Sequence, residues 1–89
     1  MTWQLRFSKR ADKQLSKLNP SVRKVIVSWL IKHLDGCSDP RAYGKSLKGD
    51  KSGIWRYRIG NYRVLCDIDD GALIILAIEI GHRSEVYKR

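Results

Sequence analysis

The chain has little cysteine, little proline and little acid. Its 89 residues include two cysteines and two prolines, and nine Asp and Glu stand against 18 Lys and Arg. Cys37 and Cys66 have no CxxC spacing, which argues against a disulfide framework or a structural metal site. Cys66 alternates with Val64 and Ile68 on an apolar stretch and reads as a core thiol. No apolar run is long enough to cross a bilayer, and the opening MTWQLRFSKR lacks the apolar centre of a signal peptide, so a cytoplasmic protein without membrane contact is expected. The shortage of acid leaves a formal net charge of +9 and a pI near 9.9. Such a balance points to a polyanionic partner, nucleic acid before membrane.

With 43% hydrophobic and 30% charged residues, the chain is ordinary globular material, and its length predicts one small domain over residues 1–89. The positive charge is concentrated. Residues 41 to 63 carry Arg41, Lys45, Lys48, Lys51, Arg56, Arg58 and Arg63 against Asp50 alone, whereas residues 64 to 80 carry four acids and no base.

The centre of that basic region is IWRYRIGNYRVLCDI, residues 54 to 68. Both flanks alternate and are rich in aromatic and β-branched residues, and Gly60-Asn61 between them tolerates positive φ, so the stretch predicts a β-hairpin with a two-residue turn. That turn fixes the register: Ile59 faces Tyr62, Arg58 faces Arg63, and Arg56 lies two positions back on the same sheet face. Like charges directly opposite on a sheet cost up to about 1 kcal/mol, so stability alone does not select this pair. An anion would account for it.

Before the hairpin, Thr2 to Phe7 alternates as a half-buried strand. Ser8 offers an N-cap to an amphipathic helix over residues 9 to 18, and Asn19-Pro20 restarts a second helix that runs to about Leu34. The short turn between them predicts an antiparallel helix pair. His33 near its end reads as a favourable terminal charge. Residues 36 to 53 read as a long Gly- and Lys-rich loop. After the hairpin, Asp69-Asp70-Gly71 supplies a turn and Ala72 to Ile80 a strand apolar on both faces. A two-residue Asp70-Gly71 turn would set Arg63 opposite Ile78 and Leu65 opposite Leu76; a bulge would move them. The fold class is therefore α+β, a strand and two helices followed by three antiparallel strands, with helices on one sheet face. The other face of the last strand needs a cover that the sequence does not supply, so a partner protein is expected. The chain closes on GHRSEVYKR, which sets His82, Arg83 and Tyr87 within six residues.

The loop ending in Lys45-Ser46-Leu47-Lys48-Gly49, the hairpin WRYRIGNYRVLCDI, the apolar strand after it and GHRSEVY together resemble the RelE/ParE superfamily, the toxin halves of bacterial and archaeal toxin–antitoxin pairs. The resemblance covers nearly the whole chain. It implies a cognate antitoxin protein, acidic or amphipathic, and no metal or other cofactor. For the RNA-cleaving branch it implies attack of an mRNA ribose 2′-hydroxyl on the adjacent phosphate in the ribosomal A site. The site residues implied are Arg56 and Arg58 on the hairpin, Arg63 after its turn, Arg83 after the last strand, and Tyr87. Arg63 and Arg83 suit neutralisation of the phosphate, since a guanidinium is a fixed fork of donors that stays protonated. Tyr87 offers a face for a base, Lys45, Lys48 and Lys51 offer phosphate contacts, and His82 has the unperturbed pKa that suits proton transfer near neutrality. The chain departs from the pattern in carrying arginines where the RNA-cleaving members carry lysines on the first hairpin strand, and in lacking a recognisable C-terminal helix. Arginine is a poor general base, so His82 or Lys48 would take the proton. The alternatives left open are a gyrase-inhibiting toxin on the same fold and a plain nucleic-acid-binding domain.

Overall fold

Ser8 and Asn19 set the two helix starts. The computed structural model describes residues 2–47 and 53–82. Strand β1 (Gln4–Phe7) leads into helix α1 (Lys9–Ser16), where the Ser8 hydroxyl accepts from the Ala11 N–H at 3.0 Å and donates to the Ile78 carbonyl at 3.3 Å. One side chain thus caps the helix and ties it to a distant strand. Helix α2 (Pro20–His33) begins where the Asn19 Oδ1 accepts from the Ser21 N–H at 2.9 Å, with Pro20 in the first turn, where its missing N–H is not needed.

Three longer strands follow, β3 (Ile54–Ile59), β4 (Tyr62–Asp69) and β5 (Ile74–His82), and a two-residue β2 (Lys45–Ser46) precedes them. The sheet order is β1-β5-β4-β3-β2, parallel only between β1 and β5. Tyr57, Val64, Cys66, Ile75, Ala77 and Ile80 of one sheet face form a single buried cluster with Ala11 and Leu15 of α1 and Ile26 and Leu30 of α2. Alternation sends their neighbours on each strand to the face away from the helices.

The expected long loop is partly built. It contains a 3₁₀ turn at Pro40–Ala42 and the strand β2, which pairs with β3, and side-chain hydrogen bonds tie it to β3 and to the turn after β4. The buried Tyr57 hydroxyl donates to the Pro40 carbonyl, the Trp55 Nε1–H donates to the Tyr43 carbonyl at 2.6 Å, and Arg41 makes two hydrogen bonds to Asp70 at 2.9 and 2.8 Å. Burial pushes the Tyr57 hydroxyl well above the ordinary phenol range, so it remains a donor. Tyr57→Phe leaves the Pro40 carbonyl without its partner and is expected to cost about 1–2 kcal/mol, read as a lower urea midpoint at unchanged slope.

One expectation is corrected here. The β4–β5 turn is four residues long, Asp70 to Leu73, closed by the Ala72 N–H on the Asp69 carboxylate at 3.1 Å and by Leu73 at φ 56°. A bulge then shifts the register between Leu65 and Cys66. Arg63 therefore lies opposite Gly81 and Leu65 opposite Glu79, not Ile78 and Leu76. His33 lies in the last turn of α2, as expected, and its ring also stacks on Trp29 at 4.4 Å, stands edge-on to Tyr43 at 5.0 Å, and sets its Nδ1 3.0 Å from the Trp29 carbonyl.

Both cysteines are free. Cys66 is fully buried and burial pushes its thiol up, whereas Cys37 is half-buried. In the native protein iodoacetamide should modify Cys37 first and leave Cys66 intact until the chain unfolds, an order that mass spectrometry reads directly.

Candidate nucleic-acid interface

Register brings the cations together. On the face away from the helices, one cross-strand row runs Lys45, Arg56, Leu65, Glu79, and the next runs Arg58, Arg63, Gly81. The Arg58–Arg63 pair and the alignment of Arg56 with them agree with the hairpin reading. Lys45 joins them because β2 pairs with β3, which places it directly opposite Arg56.

The four cations differ in setting. Lys45 and Arg58 are exposed, Arg56 is half-buried, and Arg63 is only 5% exposed. A buried guanidinium is held in one orientation, and its Nη1 lies 3.4 Å from the Tyr62 carbonyl. Gly81, its register partner on β5, contributes no side chain. Glu79, 8% exposed, sits diagonally from Arg63 on the same face and pairs with Arg10 of α1 at 3.7 Å. Sequence reasoning misses Glu79 here, since one acid in an apolar strand has no periodic signature. Burial of a carboxylate beside these guanidiniums offsets part of their mutual repulsion.

His82 goes elsewhere. It pairs with Tyr62, one residue from Arg63, and so projects from the helix-side face at the end of the sheet. Its ring stands edge-on to Tyr62 with centroids 5.6 Å apart, and the two line a cleft of about 230 Å³ with Gln14, Lys17, Leu18, Ile80 and Gly81. Lys48, Lys51, Arg83 and Tyr87 lie outside the described residues.

The face can bind phosphodiester oxygens by charge-assisted hydrogen bonds from three guanidiniums and an ammonium. It cannot take a proton through the guanidiniums, since an arginine stays protonated at any physiological pH. Among the described residues no helix is long and apolar enough to cross a membrane, and no three His, Cys, Asp or Glu side chains gather as metal ligands would.

The family described as the ParE toxin of the type II toxin–antitoxin system parDE matches residues 5–87. Toxin RelG of Mycobacterium tuberculosis is 30% identical over 89 residues, covering 100% of both chains. Among solved structures, the toxin–antitoxin complex RelBE2 of Mycobacterium tuberculosis superposes with a TM-score of 0.84 at 28% identity over 94% of each chain. A mutant E. coli toxin RelE in the free state gives 0.75 at 27% identity, covering 98% of this chain and 92% of that one.

Proposed function

This chain belongs to the RelE/ParE toxin superfamily as the toxin of a type II toxin–antitoxin system, and we propose that it is an mRNA endoribonuclease whose arginine face holds the scissile phosphate. The observation that carries the reading is the Arg58–Arg63 cross-strand pair, a repulsive arrangement that an anion turns to advantage, with Arg56 and Lys45 beside it.

Arg63, with Arg83 from the segment after β5, neutralises the charge that builds on the phosphate as the ribose 2′-hydroxyl attacks it. Arg56, Arg58, Lys45 and Lys51 hold the flanking phosphates, and Tyr87 stacks on a base. The 2′-oxygen loses its proton and forms a bond to phosphorus, the bond to the 5′-oxygen breaks, that oxygen takes a proton from water, and a 2′,3′-cyclic phosphate and a 5′-hydroxyl result. With His82 on the other side of the sheet, Lys48 in its neutral form receives the 2′-hydroxyl proton. The mRNA is engaged in the ribosomal A site.

The similar RelBE2 structure is a toxin–antitoxin complex, which supports an antitoxin protein as the partner of this chain too. The face away from the helices gives it a place: Ile74, Leu76 and Ile78 are half-buried on β5, beside the basic rows. An antitoxin covering both would bury the apolar strand and occupy the phosphate site together.

A second reading, inhibition of DNA gyrase by contact, is favoured by the absence of a general base on the arginine face among the described residues, and by the ParE name of the matching family. Expression of the toxin alone separates the two. The endoribonuclease reading predicts new 5′ ends inside the coding region of a reporter mRNA and unchanged plasmid supercoiling. Intact mRNA with altered supercoiling would establish the gyrase reading.

A further inference from the structure

His82 and Tyr62 point away from the arginines, yet they sit at the same end of the sheet. β4 begins at Tyr62 and β5 ends at His82, so each is the immediate chain neighbour of a residue on the arginine face, Arg63 and Gly81 respectively. Among the described residues, no strand flanks that side of β5 beyond the pairing with Phe7. Helix α1 takes that place, with the Ile80 N–H donating to the Gln14 Oε1 at 2.6 Å. The cleft of about 230 Å³ opens between the end of α1 and these two strand ends.

Its walls are suited to one planar ring. Tyr62 and His82 are half-buried and line the cleft, while Leu18 and Ile80 supply apolar contact. Gln14 has its carbonyl oxygen committed to the Ile80 N–H, which leaves the amide N–H groups as its donors toward a bound group. Lys17, exposed at the end of α1, adds a cation at the rim. Two aromatic rings, an apolar floor, an amide donor and an ammonium are the groups that hold an unpaired nucleobase and its phosphate.

We infer that this cleft binds one nucleobase of the RNA strand whose neighbouring phosphate lies on Arg58 and Arg63, the strand crossing the end of the sheet between the two faces. The inference rests on the ribonuclease reading above. It gives His82 a role in positioning RNA, as a stacking partner on the far side of the sheet from the phosphate, and not in proton transfer. The amide donor of Gln14 selects a base edge that presents an acceptor.

Titration of the full protein with a single-stranded trinucleotide carrying 2′-O-methyl groups, which cannot be cut, tests this by NMR. The ring-proton signals of Tyr62 and His82 should move together with the Arg58 and Arg63 side-chain N–H signals. The same trinucleotide without its central base should move only the arginine signals, and Lys17→Glu should weaken binding about tenfold. Arginine signals that move while both rings stay still for the intact trinucleotide would overturn the cleft and leave the ribonuclease reading standing. Ring shifts as large with the abasic strand would overturn base recognition. Ring shifts without arginine shifts would overturn the proposed strand path and remove the arginine face as the phosphate site.

Discussion

Arg63→Ala should lower the single-turnover rate of mRNA cleavage on programmed ribosomes by two to three orders of magnitude. Removal of one preorganised donor aimed at developing charge costs about 3–4 kcal/mol of transition-state stabilisation, and Arg63 is the guanidinium of this face that packing holds still. Arg63→Lys should recover little of the loss, because an ammonium on a flexible stem does not reproduce a fork that binds two phosphate oxygens. Arg58→Ala should cost less, since the exposed Arg58 contributes charge and not a fixed geometry. Circular dichroism on each variant separates lost chemistry from lost fold. Equal rates for Arg63→Ala and wild type would remove Arg63 from the site.

The largest expected loss of stability comes from a residue with no side chain. Gly44 holds φ +77°, and a Cβ placed there would stand 2.2 Å from the Arg56 carbonyl oxygen and 2.8 Å from the Trp55 Nε1. The first of these is backbone within β3, so relief requires the chain at Gly44 or β3 itself to shift. The positive φ alone costs an L-residue about 1–2 kcal/mol. Gly44→Ala is therefore expected to cost more than about 3 kcal/mol, a fall in Tm of more than about 12 °C for a domain of this size. Gly36 is the internal control: it has nearly the same φ, +78°, and a Cβ there would meet nothing within 4 Å. Gly36→Ala should show the conformational cost alone. Similar melting temperatures for the two variants would show that the close approach at Gly44 relaxes at no cost.

The hairpin is legible in the sequence because its determinants are local. Gly60 takes φ +60° at the turn as its neighbours require, and a two-residue loop leaves the register of Arg58 against Arg63 no freedom. The helix starts at Ser8 and Asn19 are legible for the same reason. The β4–β5 pairing is not. Leu73, a bulky residue at positive φ, gives no turn signal, and the bulge opposite Leu65 and Cys66 has no residue that marks it. Two extra turn residues preserve which residues share a face, whereas one bulged residue exchanges the faces. That single residue is what sends His82 to the side of Tyr62 and leaves Gly81 opposite Arg63. Strand β2 escapes a sequence reading because two residues are too few for a period, and with it the pairing of Lys45 with Arg56.

The arginine face is the centre of the account, and the most direct test is chemical. A defined mRNA on programmed ribosomes is incubated with the purified toxin, with and without a 2′-deoxy sugar at the cleaved nucleotide, and its ends are mapped by primer extension. A cut that needs the ribosome, carries a 2′,3′-cyclic phosphate and disappears with the deoxy sugar is the predicted result. Uncut mRNA from a preparation that still arrests growth would contradict it.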